Sequence, residues 1–189
     1  MELRNSLEEL ADHFVNLRKT AICGVEGVGK SSLLCNMTDK AIPDEHIPTL
    51  GVDFGITMTN DTKHATKLQV WDLSGSSRYN SVTHSYYRGL SLYIIVFDIT
   101  DRHSYVNVPL FLKRVNESGS PFGYQILLVG NKADLCDMRA VTQDEAEAYA
   151  LDNEMFYLEF SSKYDSRKTI LAKIEEIVAK LDLEESLSK

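Results

Sequence analysis

Cysteine is scarce: three residues in 189, at positions 23, 35 and 136. The number is odd and no pair has CxxC spacing, so a disulfide framework is excluded and reduced thiols are expected. The five histidines are scattered, none of them four residues from another histidine or a cysteine, which argues against a zinc site. Positive charge is also short, with 20 Lys and Arg against 28 Asp and Glu, a net charge of −8. A surface that acidic repels phosphate backbones and anionic lipid, so nucleic acid is excluded as a partner and direct electrostatic membrane docking is not expected. No apolar run approaches the ~18 residues of a membrane span. The first residues, MELRNSLEELADHF, lack the cationic start and apolar stretch of a secretory signal. Glu2 rules out N-myristoylation, and the last residues, DLEESLSK, offer no cysteine for prenylation, so no direct lipid anchor is expected. A cytoplasmic location follows as the expectation, with membrane association only through partner proteins.

What is present divides into three segments: an N-terminal amphipathic helix at 1–18, a single globular domain at 19–183 and a short tail at 184–189. In the first, Leu3, Leu7, Leu10, Phe14 and Leu17 recur at alternating steps of four and three, the apolar stripe of a helix. Such a stripe either packs back on its own domain or meets a partner protein. After it, strand-like runs (Thr20–Cys23, Val52–Thr59, Thr66–Leu73, Leu92–Ile99, Gln125–Val129, Phe156–Phe160) alternate with helix-like runs (Lys30–Met37, Tyr79–Arg88, Ser104–Ser118, Thr142–Asp152, Thr169–Leu183). LYIIVFDI and YQILLVG are continuous apolar strands, a pattern of burial on both faces of a parallel sheet covered by helices. The order predicts an α/β fold: a doubly wound, mostly parallel six-stranded sheet with one antiparallel edge strand. Ligands of such sheets sit at the carboxyl ends of the strands.

The strongest motif is GVEGVGKSS, which spaces Gly24, Gly29, Lys30 and Ser31 as G-x-x-x-x-G-K-S between a strand-like and a helix-like run. Glycines there permit positive φ, so that main-chain N–H groups over Glu26, Gly27, Val28, Gly29, Lys30, Ser31 and Ser32 can turn inward around a phosphate. The helix beginning near Lys30 adds the positive end of its dipole. Lys30 can reach the β- and γ-phosphates, and the Ser31 hydroxyl can ligate Mg²⁺. A second motif selects the base. In LLVGNKADL, Asn131 and Asp134 follow an apolar strand as N-K-x-D. The Asp134 carboxylate can accept from the N1–H and 2-amino groups of guanine. Adenine has neither donor and would leave the carboxylate unpaired.

Through these two motifs and the stretches around them, the chain resembles a Ras-superfamily small GTPase, and within it the Rab branch, over roughly residues 19–180. The stretches that carry the resemblance are GVEGVGKSS, PTLGVDF, KLQVWDLSG, SYYRG, IIVFDIT, GNKAD and EFSSK. It implies a P-loop NTPase small G domain that binds GTP or GDP with Mg²⁺. Thr49 would be the switch I threonine on Mg²⁺ and the γ-phosphate, and Asp72 would act on Mg²⁺ through water. The Gly75 N–H would hold the γ-phosphate. Ser161 would brace Asp134, the Ser162 N–H would meet the base oxygen, and the stems of Lys132 and Lys163 would cover the two faces of the ring. Loss of the γ-phosphate would release two loops, switch I and switch II, through which effector and regulatory proteins read the state. Phe54, Trp71 and Tyr86 resemble the family's effector-reading patch.

Several residues depart from that pattern. Ser76 stands where the family has a water-orienting glutamine; serine is too short to span the same distance, so hydrolysis is expected to be slow. Glu26 occupies a loop position that is usually small, and is expected to turn to solvent rather than toward phosphate. Ile42 replaces an aromatic residue that leans over the guanine, which implies faster nucleotide release. His46 replaces a switch I tyrosine. The function expected is a slowly hydrolysing guanine-nucleotide switch in intracellular transport. The alternative from another class is an assembly subunit that binds GTP without hydrolysing it.

Overall fold

The computed structural model describes residues 16–45, 47–59, 66–118 and 123–187. Its centre is strand β4 (Leu92–Asp98), the apolar run LYIIVFD, in which every residue is buried. A strand with no polar alternation needs cover on both faces, and its side chains divide accordingly. Tyr93, Ile95 and Phe97 enter one core cluster, and Leu92, Ile94 and Val96 enter the other.

Around β4 lie β1 (Asn16–Cys23), β2 (Val52–Met58), β3 (Thr66–Leu73), β5 (Gln125–Asn131) and β6 (Phe156–Phe160), in the sheet order β2-β3-β1-β4-β5-β6. All pairings are parallel except β2 with β3, which places β2 as the antiparallel edge strand. The helices are α1 (Lys30–Met37), α2 (Asn80–Thr83), α3 (Arg102–Val106), α4 (Val108–Ser118), α5 (Gln143–Asp152) and α6 (Arg167–Leu187). Side chains of α4 and α5 fill the first core cluster, with Phe111, Leu112, Val115, Ala146 and Ala150. Side chains of α1 and α6 fill the second, with Leu33, Leu34, Met37, Ile170, Leu171 and Ile174. The doubly wound, mostly parallel six-stranded sheet expected from the sequence is the architecture found.

Four expectations differ. The expected N-terminal helix at 1–18 overruns the sheet: β1 begins at Asn16, and Leu17 and Arg18 pair with Lys67 and Leu68 of β3. The exposed–buried alternation of Leu17, Arg18, Lys19 and Thr20 has the two-residue period of a strand. Leu17 fits both a helical stripe and a strand, and the long ladder with β3 decides it. The rest of that expected helix lies outside the described residues, as does His46. The helix expected over Ser104–Ser118 is broken at Asn107, because Pro109 has no N–H to continue the ladder and sits in the first turn of a new helix. Asn107 closes the first piece by donating from Nδ2 to His103 O at 2.8 Å. The stretch Tyr79–Arg88 is a 3-10 turn (Ser77–Tyr79), the single α turn of α2 and a second 3-10 turn (His84–Tyr87), with only Thr83 and Tyr87 buried. Finally, α6 continues to Leu187, so the tail expected to begin at 184 is helical through that point.

Candidate nucleotide site

The carboxyl ends of β1, β4 and β5 bring the two sequence motifs together. Gly29 is the N-cap of α1 with φ of 97°, a left-handed conformation suited to glycine. A Cβ there would lie 2.2 Å from Asn131 Nδ2, so the absence of a side chain is what lets the phosphate loop touch the base loop. Asn131 joins the two: its Nδ2 donates to Val28 O at 2.7 Å. Its Oδ1 accepts from Ser162 N at 2.9 Å and from Ser162 Oγ at 2.8 Å. Two adjoining clefts of about 250 and 270 Å³ result, sharing Gly29, Ser32, Lys132 and Lys163 along their linings.

The first cleft is lined by Glu26, Gly27, Lys30, Ser31, Ser74 and Gly75 and by switch I residues 42–45 and 47–49. Lys30 is 5% exposed. Burial pushes its amine below the usual lysine range, with Asp72 opposing the shift, and Nζ donates to Val25 O at 2.7 Å. Gly75 touches the phosphate loop so closely that a Cβ would lie 2.3 Å from Glu26 N. Glu26 is exposed and lines the cleft.

Ser31, Thr49 and Asp72 converge. Ser31 Oγ lies 2.8 Å from Thr49 Oγ1 and donates to Asp72 Oδ2, which Thr49 Oγ1 approaches at 3.3 Å. Asp72 is fully buried and its other oxygen, Oδ1, takes no hydrogen bond among the described residues. Burial raises its pKa, against the Ser31 hydrogen bond and the Lys30 charge. Two hydroxyls and one carboxylate form a hard oxygen set that fits Mg²⁺. Among the described residues no cluster of three His, Cys, Asp or Glu side chains exists that would compete for it.

The second cleft is lined by Asn131, Asp134, Leu135, Ser161, Ser162 and Tyr164 in addition to the shared residues. Asp134 is exposed on the first turn of a 3-10 helix (Ala133–Met138). Lys132, the N-cap of that helix, holds a left-handed φ of 64°, a strained value for a side-chain-bearing residue of the kind that clusters at functional sites. Its Nζ is anchored on Asp98 Oδ2, and the residue lines both clefts. Two expected roles shift. The Ser161 hydroxyl accepts from Tyr164 N at 3.2 Å rather than bracing Asp134, because the tight loop places that N–H within its reach. The Ser162 N–H, expected to meet the base, donates instead to Asn131 Oδ1, because Asn131 reaches across from the end of β5.

Ser76 is the predicted site residue that the geometry sets apart. It is half-buried, precedes the 3-10 turn Ser77–Tyr79 in an extended conformation, and does not line either cleft. Its neighbour Ser74 does, and Ser74 Oγ accepts a long hydrogen bond from Ser76 N at 3.4 Å. Sequence reasoning passed over Ser74 and also Tyr164, which lines the base cleft with Lys163 Nζ 5.5 Å from its ring centre. The signal was available for both: Ser74 lies inside KLQVWDLSG and Tyr164 directly follows EFSSK. The effector-patch residues Phe54 and Trp71 sit on paired strands β2 and β3 with ring centres 5.3 Å apart, and Phe54 and Tyr86 are 41% and 38% exposed.

The base loops are stiffened from behind. Arg139 grips Glu159 with two bonds of 2.7 and 2.8 Å, and Tyr157 donates to the same carboxylate. Burial pushes the Glu159 pKa up, but Arg139 and Tyr157 outweigh it and hold the carboxyl below its usual range. A carboxyl depressed in the folded state stabilises above its unfolded pKa, and that stability is lost as pH falls through the folded value. Arg139→Met is expected to lower stability by about 2 kcal/mol at neutral pH, with a smaller deficit below the acid transition. Thermal melts of both proteins across that range check this; a deficit independent of pH would count against it.

A family model of the Ras family matches residues 19–182. This is a small G domain, and the chain belongs to the Ras family. Its relatives are of the Ypt and Rab kind. The chain is 38% identical to GTP-binding protein ypt3 of Schizosaccharomyces pombe over 178 residues, 92% of this chain and 83% of that one. It is 37% identical to GTP-binding protein YPT1 of Saccharomyces cerevisiae over 178 residues, 92% of this chain and 86% of that one. With Ras-related protein RABD2a of Arabidopsis thaliana it shares 40% identity over 147 residues, 78% and 72% of the two chains.

Proposed function

We propose that this chain is a Rab-type guanine-nucleotide switch, binding GTP and GDP with Mg²⁺, hydrolysing GTP slowly, and acting in vesicle or protein-complex transport. The observation that carries the reading is the junction at Asn131, which ties Val28 of the glycine-rich loop to Ser162 and sets the two clefts side by side. There the amides of residues 26–32 cradle the phosphates, with Lys30 charge-pairing them. Ser31 and Thr49, and Asp72 through water, would hold Mg²⁺, which would supply positive charge to the phosphates. Asp134 selects guanine, Lys132 and Lys163 cover the ring, and Gly75 orders switch II by its N–H. With only a short hydroxyl at 76, the chain supplies little to orient the attacking water. Changes in switch I and switch II are read by effectors through the Phe54–Trp71 face. The N-terminal segment bearing Leu3, Leu7, Leu10 and Phe14 serves either to pack back on the domain or to meet a partner protein. Among the described residues no helix is long and apolar enough to cross a membrane.

The test is chromatography of the nucleotide released from purified protein, followed over hours. GTP or GDP at one equivalent, with slow conversion to GDP, is the expected result. Adenine nucleotides, or none, would overturn the reading. One guanine nucleotide retained without any conversion would overturn the hydrolysis in this reading.

A further inference from the structure

Asn36 lies in the last turn of α1, the helix that begins at the phosphate loop. Its Nδ2 donates to two main-chain carbonyls far away in sequence, Ser162 O at 3.1 Å and Asp165 O at 2.9 Å. Its Oδ1 is buried and takes no hydrogen bond among the described residues, so the side chain is oriented as a donor alone. The loop it grips is closed on itself, with Asp165 N donating to Ser161 O and Ser161 N to Asp165 Oδ2, both at 2.9 Å. Asn131 holds that loop from the β5 side through Ser162. Asn36 holds it from the α1 side, and among the described residues it makes the only side-chain hydrogen bonds from α1 to residues 161–165.

We propose that Asn36 is a positioning residue that sets how long the guanine nucleotide stays bound. By fixing the carbonyls of Ser162 and Asp165 to α1, it keeps Ser162 and Lys163 in place against the base and in register with the phosphate loop. The inference rests on the reading of residues 161–163 as the base loop. Without the amide, two partly buried carbonyls lose their donor and the loop can swing away from the phosphate loop while the latter stays intact. Nucleotide would then leave from the base side first. Hydrolysis of GTP already bound depends on groups around Lys30 and Gly75, which Asn36 does not touch.

Full-length protein loaded with N-methylanthraniloyl-GDP and chased with excess GDP reports the release rate. Asn36→Leu is expected to speed release about tenfold, the effect of losing two such bonds. Asn36→Asp, which keeps the shape but turns an acceptor toward two carbonyls, is expected to release at least as fast. Single-turnover hydrolysis of preloaded GTP is expected to stay within about twofold of wild type. Arg167→Met is the control: Arg167 bonds Met37 O and Thr57 Oγ1 at the same end of α1 without gripping the loop. Its loss is expected to lower the melting temperature and leave release unchanged. Release of both Asn36 variants at the wild-type rate would overturn the proposal. Equal acceleration by Arg167→Met would also overturn it, since the effect would then be general loosening of α1. Retention of full GDP affinity by Asp134→Ala would show instead that the base site itself has been misassigned.

Discussion

Asp134→Ala is expected to weaken both GTP and GDP binding by roughly a hundredfold or more, the loss of two hydrogen bonds to a charged acceptor. The side chain is exposed on the first turn of a 3-10 helix, so the fold of the nucleotide-free protein has little stake in it. The thermal midpoint without nucleotide should therefore stay near wild type while the ligand-induced upward shift shrinks. Discrimination is the sharper readout. Wild type should prefer GTP over ATP strongly, because adenine offers no N1–H and no 2-amino group. The variant should lose most of that preference. Calorimetric titration with both nucleotides measures it, and an unchanged preference would remove Asp134 from base selection.

Ser76→Gln is expected to raise single-turnover GTP hydrolysis at least about tenfold, corresponding to about 1.4 kcal/mol of transition-state stabilisation. The backbone at 76 has φ of −76° and ψ of 130°, an extended conformation that glutamine adopts freely, so the longer side chain requires no rebuilding of the turn. It needs only to reach the cleft that Ser74 and Gly75 already line. Arg78, two residues further along the chain, is exposed and is the alternative side chain that could orient the attacking water. If wild type already hydrolyses as fast as glutamine-bearing relatives, and Arg78→Ala abolishes that rate, the work is done by the arginine and the reading of Ser76 is wrong.

Much of this site was legible in the residues because its parts are local. The run from Gly24 to Ser31 carries strand end, loop and helix start in one stretch, and α1, β3 and β6 have the bounds that pattern alone assigns them. The helix break at Asn107 was also written locally, in Pro109, but the apolar periodicity across it masked the signal. What could not be read were contacts that join distant segments. Nothing in the neighbourhood of Asn36 indicates that its amide reaches residues 126 and 129 positions away. The same holds for Arg139 and Glu159, and for the diversion of the Ser162 N–H to Asn131. Tertiary geometry likewise decided where β1 begins, since Leu17 suits either period and only β3 alongside it settles the matter.

The sheet order carries a consequence for synthesis of the chain. β1 is the first strand along the described chain, yet its neighbours are β3 and β4, which end at Leu73 and Asp98. A growing polypeptide that has emerged only as far as β2 therefore exposes β1 with neither neighbour available, and β4 in turn waits for β5 to cover its other edge. Non-local pairings of this kind form late and leave apolar strands open to chaperones or to aggregation. Ribosome-stalled chains ending shortly after β3 should be digested rapidly by protease, whereas those with β5 fully outside the tunnel should begin to resist. Protection already present at the shorter length would mean that the first half of the sheet stands without its centre.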